Sequence, residues 1–387
     1  MYKKCFFGAI LSVLLLCGCA LCVGAVDMPA DISAEACIVM LADTHEVLFE
    51  KNAQKQLSMA STTKIMTSLL ALESGMPKKE ITVTDEMVRV EGTSIGLLPG
   101  DTVSVQTLVA GMLLESGNDA ANVTAYAVAG GIAPFLEQMN ERARTLGMQN
   151  TCFETVSGLD SENHHSTAYD MALLGSVAIQ NPAFRAICSQ TQIRVSYGNP
   201  PYARTFSNHN RLLKSYDGVF GIKTGFTKKS GRCLVSAAER DGATLVAVTL
   251  NAPNDWADHK KLFDYGFSVV QKKQAVSSAQ LPQIPVVGGT ATFVPTQAVG
   301  DCSVPIGNNA LQVTAKAYVQ PFLYAPVRAG DCVGSIVLCV NGESVCTRSL
   351  IAAQSVDATV SVSDGAEENG NTETLWEKFK AYFNKFR

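Results

Sequence analysis

Apolar residues recur at helical spacing in residues 61–72, where Ile65, Leu69 and Leu72 fall on one face, and the spacing predicts a helix that opens at Ser61. A second apolar helical run covers 108–114, and a third, 135–146, stops at Gly147. Residues 37–41 and 47–50, parted by Asp43-Thr44-His45-Glu46, read as a β-hairpin ahead of the first helix. Residues 218–224 read as a strand. Residues 231–238 and 244–250, joined by Glu-Arg-Asp-Gly, read as a second hairpin directly after it. Between 69 and 109 the pattern is helix, loop and helix, with Pro99-Gly100-Asp101 a turn, and 262–270 reads as a closing helix. Strand pairs at both ends with helices between them imply one sheet assembled from distant parts of the chain, with a helical region inserted.

Around Gln280 the pattern changes to short β-rich runs punctuated by Pro and Gly: 290–293, 311–317, 333–340 and 343–350. These predict a small all-β domain over 280–357. Residues 358–374 are polar, acidic and Gly-containing, as in a flexible linker. Residues 375–387 place Leu375, Trp376, Phe379, Tyr382, Phe383 and Phe386 at helical spacing among Lys378, Lys380, Lys385 and Arg387. A basic amphipathic helix with aromatic residues at a chain end suits the plane of an anionic membrane surface; docking on its own domain is the alternative. At the other end, 1–25 read as a secretory signal. Lys3 and Lys4 form a basic start, 6–16 an apolar stretch too short to span a membrane, and Val23-Gly24-Ala25 a cleavage site. Leu16-Cys17-Gly18-Cys19 partly resembles a lipoprotein box, which would put a lipid on Cys19 instead. Either way the protein is exported and its substrate lies outside the cytoplasm.

Composition narrows this further. A chain of 387 residues is ample for two or three domains. A net charge of −4 excludes a general polyanion binder, so nucleic acid is not an expected partner. Of twelve cysteines, Cys5, Cys17, Cys19 and Cys22 fall in the signal region. The other eight are scattered without Cys-x-x-Cys spacing, so no metal site and no cofactor is expected. Cys339 and Cys346 flank the hairpin signal Asn341-Gly342, whose register sets the two thiols diagonally, a poor geometry for a disulfide. The eight read mainly as small buried apolar residues.

The candidate chemistry starts at Ser61-Thr62-Thr63-Lys64. Residues three apart share a helix face, so the hydroxyl of Ser61 and the amine of Lys64 can meet. In a first turn, unpaired N–H groups and the helix dipole favour the negative charge that develops in acyl transfer. Serine needs an adjacent base, and lysine serves as one only when burial or a second cation lowers its pKa. Taken alone, the motif reads more readily as an N-cap serine and a solvated lysine. Two later stretches change that: Ser116-Gly117-Asn118 follows the apolar run at 108–114, and Lys223-Thr224-Gly225 ends the strand at 218–224. Ser-x-x-Lys, Ser-x-Asn and Lys-Thr-Gly in this order are the set of penicillin-binding proteins and serine β-lactamases. Ser161-Glu162-Asn163 also fits Ser-x-Asn, but it lies in a polar loop, whereas Ser116 caps an apolar helix.

The sequence resembles the low-molecular-mass penicillin-binding proteins that act as serine D-alanyl-D-alanine carboxypeptidases. The resemblance runs from about Ala34 to the C-terminus. It is carried by the blocks at 59–67, 113–121, 166–170, 208–213 and 221–227, the last of them Gly-Ile-Lys-Thr-Gly-Phe-Thr. It implies an α/β (α+β) catalytic domain over 26–275, with an antiparallel sheet flanked by helices and the active site in the cleft between sheet and helical region. A small all-β domain and a terminal anchor follow. It further implies Ser61 as acyl-accepting nucleophile, Lys64 as its general base and Ser116 as proton relay to the leaving amine. Asn118 would hold the substrate amide, Lys223 would raise the local positive potential, and Thr224 would bind the terminal carboxylate. Gly225 would let the substrate backbone approach, and Phe226 would give an oxyanion-hole N–H together with that of Ser61. The implied partners are the peptidoglycan stem peptide and β-lactam antibiotics as covalent inhibitors, at the outer face of the bacterial cytoplasmic membrane.

An arginine that some members place near the substrate carboxylate has no counterpart after Leu250, where residues 251–255 read Asn-Ala-Pro-Asn-Asp. His164 and His165 read as loop residues, His209 as structural near the cleft and Asp170 as a loop organiser. A serine β-lactamase of class A would also need a Glu-x-x-Leu-Asn block, and none lies between Ser116 and Lys223. A non-catalytic cell-wall binding protein would be expected to carry a broken motif, and all three are intact.

Overall fold

Every residue of β1 (Ala36–Leu41) is buried. It lies inside a sheet covered on both faces, which is why it reads as an unbroken apolar run rather than an alternation. It pairs antiparallel with β2 (Val47–Lys51) on one side and, on the other, with β9 (Ala243–Leu250), setting Ile38 opposite Val248. In the computed structural model, which describes residues 28–307, 309 and 311–359, the sheet runs β2-β1-β9-β8-β7, with β7 (Val219–Thr227) at the edge and β8 (Gly231–Arg240) beside it. The expected signal at 1–25 and terminal helix at 375–387 lie outside the described residues, as does all of the linker but 358 and 359.

Alternate residues of β1 build two cores. Ile38 and Met40 face the helical region with Val246 and Val248, whereas Val39 and Leu41 join Leu245, Ala247, Leu262 and Phe263 on the other face. The closing helix is longer than its apolar pattern predicts, starting at Asp255 and not at 262. Its first turns bury polar residues that find partners: Asp258 accepts from Ser33 Oγ at 2.7 Å and from the amides of Ser33 and Ala34, both at 3.0 Å.

On the helical side, a 3₁₀ turn (Ala60–Thr63) leads into α1 (Lys64–Glu73). Helix α1 is the hub of this region. It packs against α2 (Val105–Ala110), α3 (Asn118–Ala129), α4 (Ile132–Thr145), α5 (Ala168–Gln180) and α6 (Pro182–Cys188), and is buried almost all round. The apolar run at 108–114 is not one regular helix: α2 gives way to a π turn (Gly111–Glu115) that ends at Ser116. Two strand pairs escape the apolar pattern, β3 (Glu80–Thr82) with β4 (Thr102–Ser104), and β5 (Gln192–Gly198) with β6 (Pro201–Ser207). The first two are three residues each, too short to show a period of two. One turn of helix, α7 (Leu212–Ser215), precedes β7, and the closing helix Asp255–Val269 is α8.

The described chain forms two compact units, which part after Ala275. Ser303–Thr314 and Cys339–Val345, expected in the all-β domain, belong to the first unit. Within the first, β10 (Gln271–Gln274) pairs with β13 (Ser303–Ile306). A six-stranded sheet, most of whose residues fall in the second unit, is ordered β14 (Val313–Val319), β16 (Cys332–Val340), β17 (Glu343–Ala352), β12 (Phe293–Ala298), β11 (Gln283–Val287) and β15 (Leu323–Tyr324). Asn341 and Gly342, between β16 and β17, have φ of 51° and 89°, the left-handed pair that a tight hairpin turn requires. Cys339 and Cys346 are not joined to each other by a disulfide.

Candidate active site

The nucleophile turn is held by its own hydroxyls: Thr62 Oγ1 donates to Met59 O at 2.6 Å and Thr63 Oγ1 to Ala60 O at 2.9 Å. Lys64 then starts α1 and turns its amine back under Ser61. Lys64 Nζ lies 3.0 Å from Ser61 Oγ, 2.7 Å from Asn118 Oδ1 and 2.6 Å from Ser157 O. The residue is 0% exposed. Burial first, and the neighbouring charge of Lys223 second, hold the amine well below the usual lysine range. The carbonyl oxygens of Asn118 and Ser157 only accept, so each takes one of the amine's hydrogens. A neutral amine then has its lone pair left for Ser61 Oγ.

Asn118 is oriented by its other end, where Nδ2 donates to Glu91 O at 2.8 Å. Its side chain, expected to hold the substrate, thus also bonds Lys64 and Glu91 within the protein, with one acceptor and one donor position of the amide left over. Ser116 closes the π turn with φ 66°, a left-handed conformation that costs a non-glycine residue about 1–3 kcal/mol. It lines a cleft of about 330 Å³ together with Ser61, Thr224, Gly225 and Phe226. Lys223 is buried beside this cleft, donates to Thr224 O at 2.8 Å, and is lowered by burial to about 7. Five of the eight residues singled out in the sequence therefore line the opening, and Lys64, Asn118 and Lys223 are buried polar groups behind it. Ser161 goes elsewhere, donating to Glu154 Oε2 at 2.5 Å.

Gly225 has a physical reason beyond substrate access. A Cβ there would sit 3.1 Å from Ala60 Cβ, Met59 O and the Ser61 amide, so glycine is what lets β7 touch the nucleophile turn. Gly158 does the same from the opposite side: with φ +85°, its Cβ would fall 1.9 Å from Ala60 O. His164 supports the turn from within. Its Nδ1 accepts from the amides of Glu154 at 3.0 Å and Thr155 at 3.4 Å, so Nε2 carries the hydrogen, 2.8 Å from Thr63 Oγ1. Burial lowers its pKa to about 4, keeping it neutral. Asp119 organises the loop facing Ser116, accepting from Ser94 Oγ at 2.6 Å and from the amides of Ile95 and Leu97 at 3.0 Å. Of these, Ser157, Gly158 and Asp119 were missed in the sequence, and His164 was read only as a loop residue; the glycine in Ser157-Gly158-Leu159 was the available signal.

Comparison with known proteins agrees with this geometry. A family described as D-alanyl-D-alanine carboxypeptidase matches residues 23–254, and one described as penicillin-binding protein 5, C-terminal domain, matches 266–358. The chain is similar to D-alanyl-D-alanine carboxypeptidase DacC of Escherichia coli (strain K12), 35% identical over 86% of either protein. It is also similar to DacF of Bacillus subtilis (strain 168), 31% identical over 83% of this chain and 85% of the relative. Among solved structures, penicillin-binding protein 5 from Haemophilus influenzae superposes with a TM-score of 0.61 at 27% identity, over 86% of this chain and 99% of that one. The Streptomyces K15 DD-transpeptidase gives 0.59 at 31% identity, over 63% of this chain and 100% of that one. With the family matched over most of the first unit and full-length relatives above 30% identity, the chain belongs to the D-alanyl-D-alanine carboxypeptidase family of serine peptidases.

Proposed function

We propose that this protein removes the terminal D-alanine from peptidoglycan stem pentapeptides through an acyl-enzyme on Ser61. The observation that carries the reading is the buried amine of Lys64, held 3.0 Å from Ser61 Oγ by two pure acceptors. In its neutral form it takes the hydroxyl proton as Oγ attacks the carbonyl carbon of the penultimate D-alanine. The developing oxyanion is met by the amides of Ser61 and Phe226. Strand β7 is the sheet edge, so its outward N–H groups have no ladder partner. The C–N bond then breaks, Ser116 passes the proton from Lys64 to the departing amine, and D-alanine leaves. Water attacks the ester with Lys64 again as base, releasing the shortened peptide and restoring Ser61. A β-lactam acylates the same oxygen by opening its ring amide. Lys223 keeps the cleft positive and Lys64 neutral, and Thr224 meets the substrate carboxylate.

The same proposal places the enzyme outside the cytoplasm, exported by residues 1–25 and held at the membrane surface through 375–387. The test is incubation of the purified protein and its Ser61→Ala variant with a fluorescent penicillin, followed by intact mass over time, and then by assay of D-alanine release from a pentapeptide. An adduct on the wild type that persists for minutes and is absent from the variant supports the assignment. Absence of any adduct on folded wild type sinks it, and rapid turnover of the drug points to a β-lactamase.

A further inference from the structure

The open side of the cleft carries two guanidinium groups, Arg211 and Arg232, that no step above uses. Arg232 stands near the start of β8 directly opposite Phe226. Side chains two apart on a strand share a face, so Arg232 belongs to the same face of the β7–β8 ladder as Thr224. Its fork is gripped by one carboxylate: Nε donates to Asp255 Oδ1 at 3.0 Å, and Nη2 lies 2.9 Å from Asp255 Oδ2. Asp255 opens α8 and its side chain is 3% exposed, whereas that of Arg232 is 41% exposed. A buried carboxylate engaging two N–H groups fixes the direction of the guanidinium and leaves its other donors uncommitted to that pair. The Trp256 ring, its centroid 5.5 Å from Arg232 Cζ, lines the cleft beside it. Arg211 has no ion-pair partner among the described residues, so two arginines set against one aspartate leave this side of the cleft positive.

A peptidase that removes only the last residue must distinguish a chain end from a chain interior, and the chemical difference is a carboxylate in place of a neutral amide. We infer that Arg232, aimed by Asp255 and supported by the charge of Arg211, recognises the C-terminal carboxylate of the substrate. It would do so from β8, and not from the stretch after Leu250, where this chain has no arginine. The inference rests on the carboxypeptidase reading, and it makes Arg232 a specificity-determining residue, distinct from the groups that move protons.

The experiment uses two peptides identical except that one ends in D-Ala-D-Ala carboxylate and the other in the corresponding carboxamide. The full chain is compared with Arg232→Gln, Arg232→Lys and the double variant R232Q/D255N, which does not strand Asp255 as a buried anion. Release of D-alanine or D-alaninamide gives kcat/KM for each. The wild type prefers the free acid. In Arg232→Gln and in the double variant that preference falls by about 10- to 100-fold, mainly through KM for the acid, while cleavage of the amide stays near the wild-type rate and certifies the fold. Arg232→Lys, a cation without the fork, falls between. An unchanged preference in the variants, or a wild type that cleaves both peptides equally well, overturns the role of Arg232 and leaves the carboxypeptidase reading intact. A wild type that cleaves neither and takes no penicillin overturns both.

Discussion

Asn118 Oδ1 accepts from Lys64 Nζ at 2.7 Å, so the amine beside the nucleophile is oriented by a neutral partner. Its neutrality matters. A carboxylate in the same place would hold the amine just as firmly but would stabilise the ammonium, which has no lone pair for Ser61.

Asn118→Asp makes that exchange with almost no change in shape. Lys64 acts in its neutral form, and a negative neighbour raises its pKa. Acylation by penicillin at neutral pH is therefore expected to fall at least about tenfold, within the range general-base catalysis contributes, and to recover as pH rises. The check is the acylation rate against pH. A lower plateau with an unmoved acid limb would mean that Asn118 does not tune the lysine.

Lys223 tests the cost of the same electrostatics. Burial lowers it to about 7 from an ordinary 10.5. Because its folded pKa lies below its unfolded one, the unfolded chain holds the extra proton between those values, and stability rises with pH across that window. The penalty for burying the amine is thus greatest at and below about pH 7. Lys223→Met is expected to raise the Tm at pH 7 and to raise it less at pH 10. At the same time it slows acylation, since Lys64 loses the cation that helps keep it neutral. Thermal unfolding at the two pH values decides this; a lower Tm at pH 7 would show that the bond to Thr224 O outweighs desolvation.

The parts of this site that lie close in sequence were legible there. Ser61 and Lys64 are one turn apart, and Thr224, Gly225 and Phe226 follow one another on a strand. The hairpins were legible too, since β1, β8 and β9 are apolar runs ended by turn residues. What stayed hidden depends on contacts far along the chain. Ser157 acts through a backbone oxygen, which no residue type advertises. Arg232 and Asp255 become a site only because β8 runs beside β7 and α8 starts at its end. The early start of α8 was hidden because its polar first turns are buried against Ser33 and Ala34, a tertiary pairing that periodicity does not register.

Two glycines flank the nucleophile turn, and their substitutions should separate. Gly225→Ala puts a methyl group 3.1 Å from Ala60 Cβ, Met59 O and the Ser61 amide, a squeeze that a small shift of β7 relieves. The expected result is a Tm within a few degrees of wild type and acylation slowed about 10- to 100-fold, since sub-ångström misplacement is costly to a reacting pair. Gly158→Ala puts its methyl group 1.9 Å from Ala60 O in a left-handed conformation and should destabilise the fold by more than about 2 kcal/mol. Equal loss of stability in both variants would refute the distinction.

His164 predicts how the catalytic unit fails in acid. Its folded pKa, lowered by burial to about 4, lies below the ordinary 6.5, and His259, held by burial at about 3, behaves alike. For such groups the unfolded chain takes up the proton first, so stability is lost as pH falls from about 6.5 toward 4. His164→Gln breaks the bridge from the Glu154 and Thr155 amides to Thr63, costing about 1–3 kcal/mol at pH 7. It also removes one of the acid-sensitive groups, so the stability gap between wild type and variant should narrow as pH falls through that window. Urea midpoints at pH 7 and pH 4.5 measure the gap. If it stays constant, protonation of His164 is not what acid acts on, and the weak point is to be sought at His259, whose Nε2 lies 3.0 Å from Thr249 Oγ1 beneath the sheet.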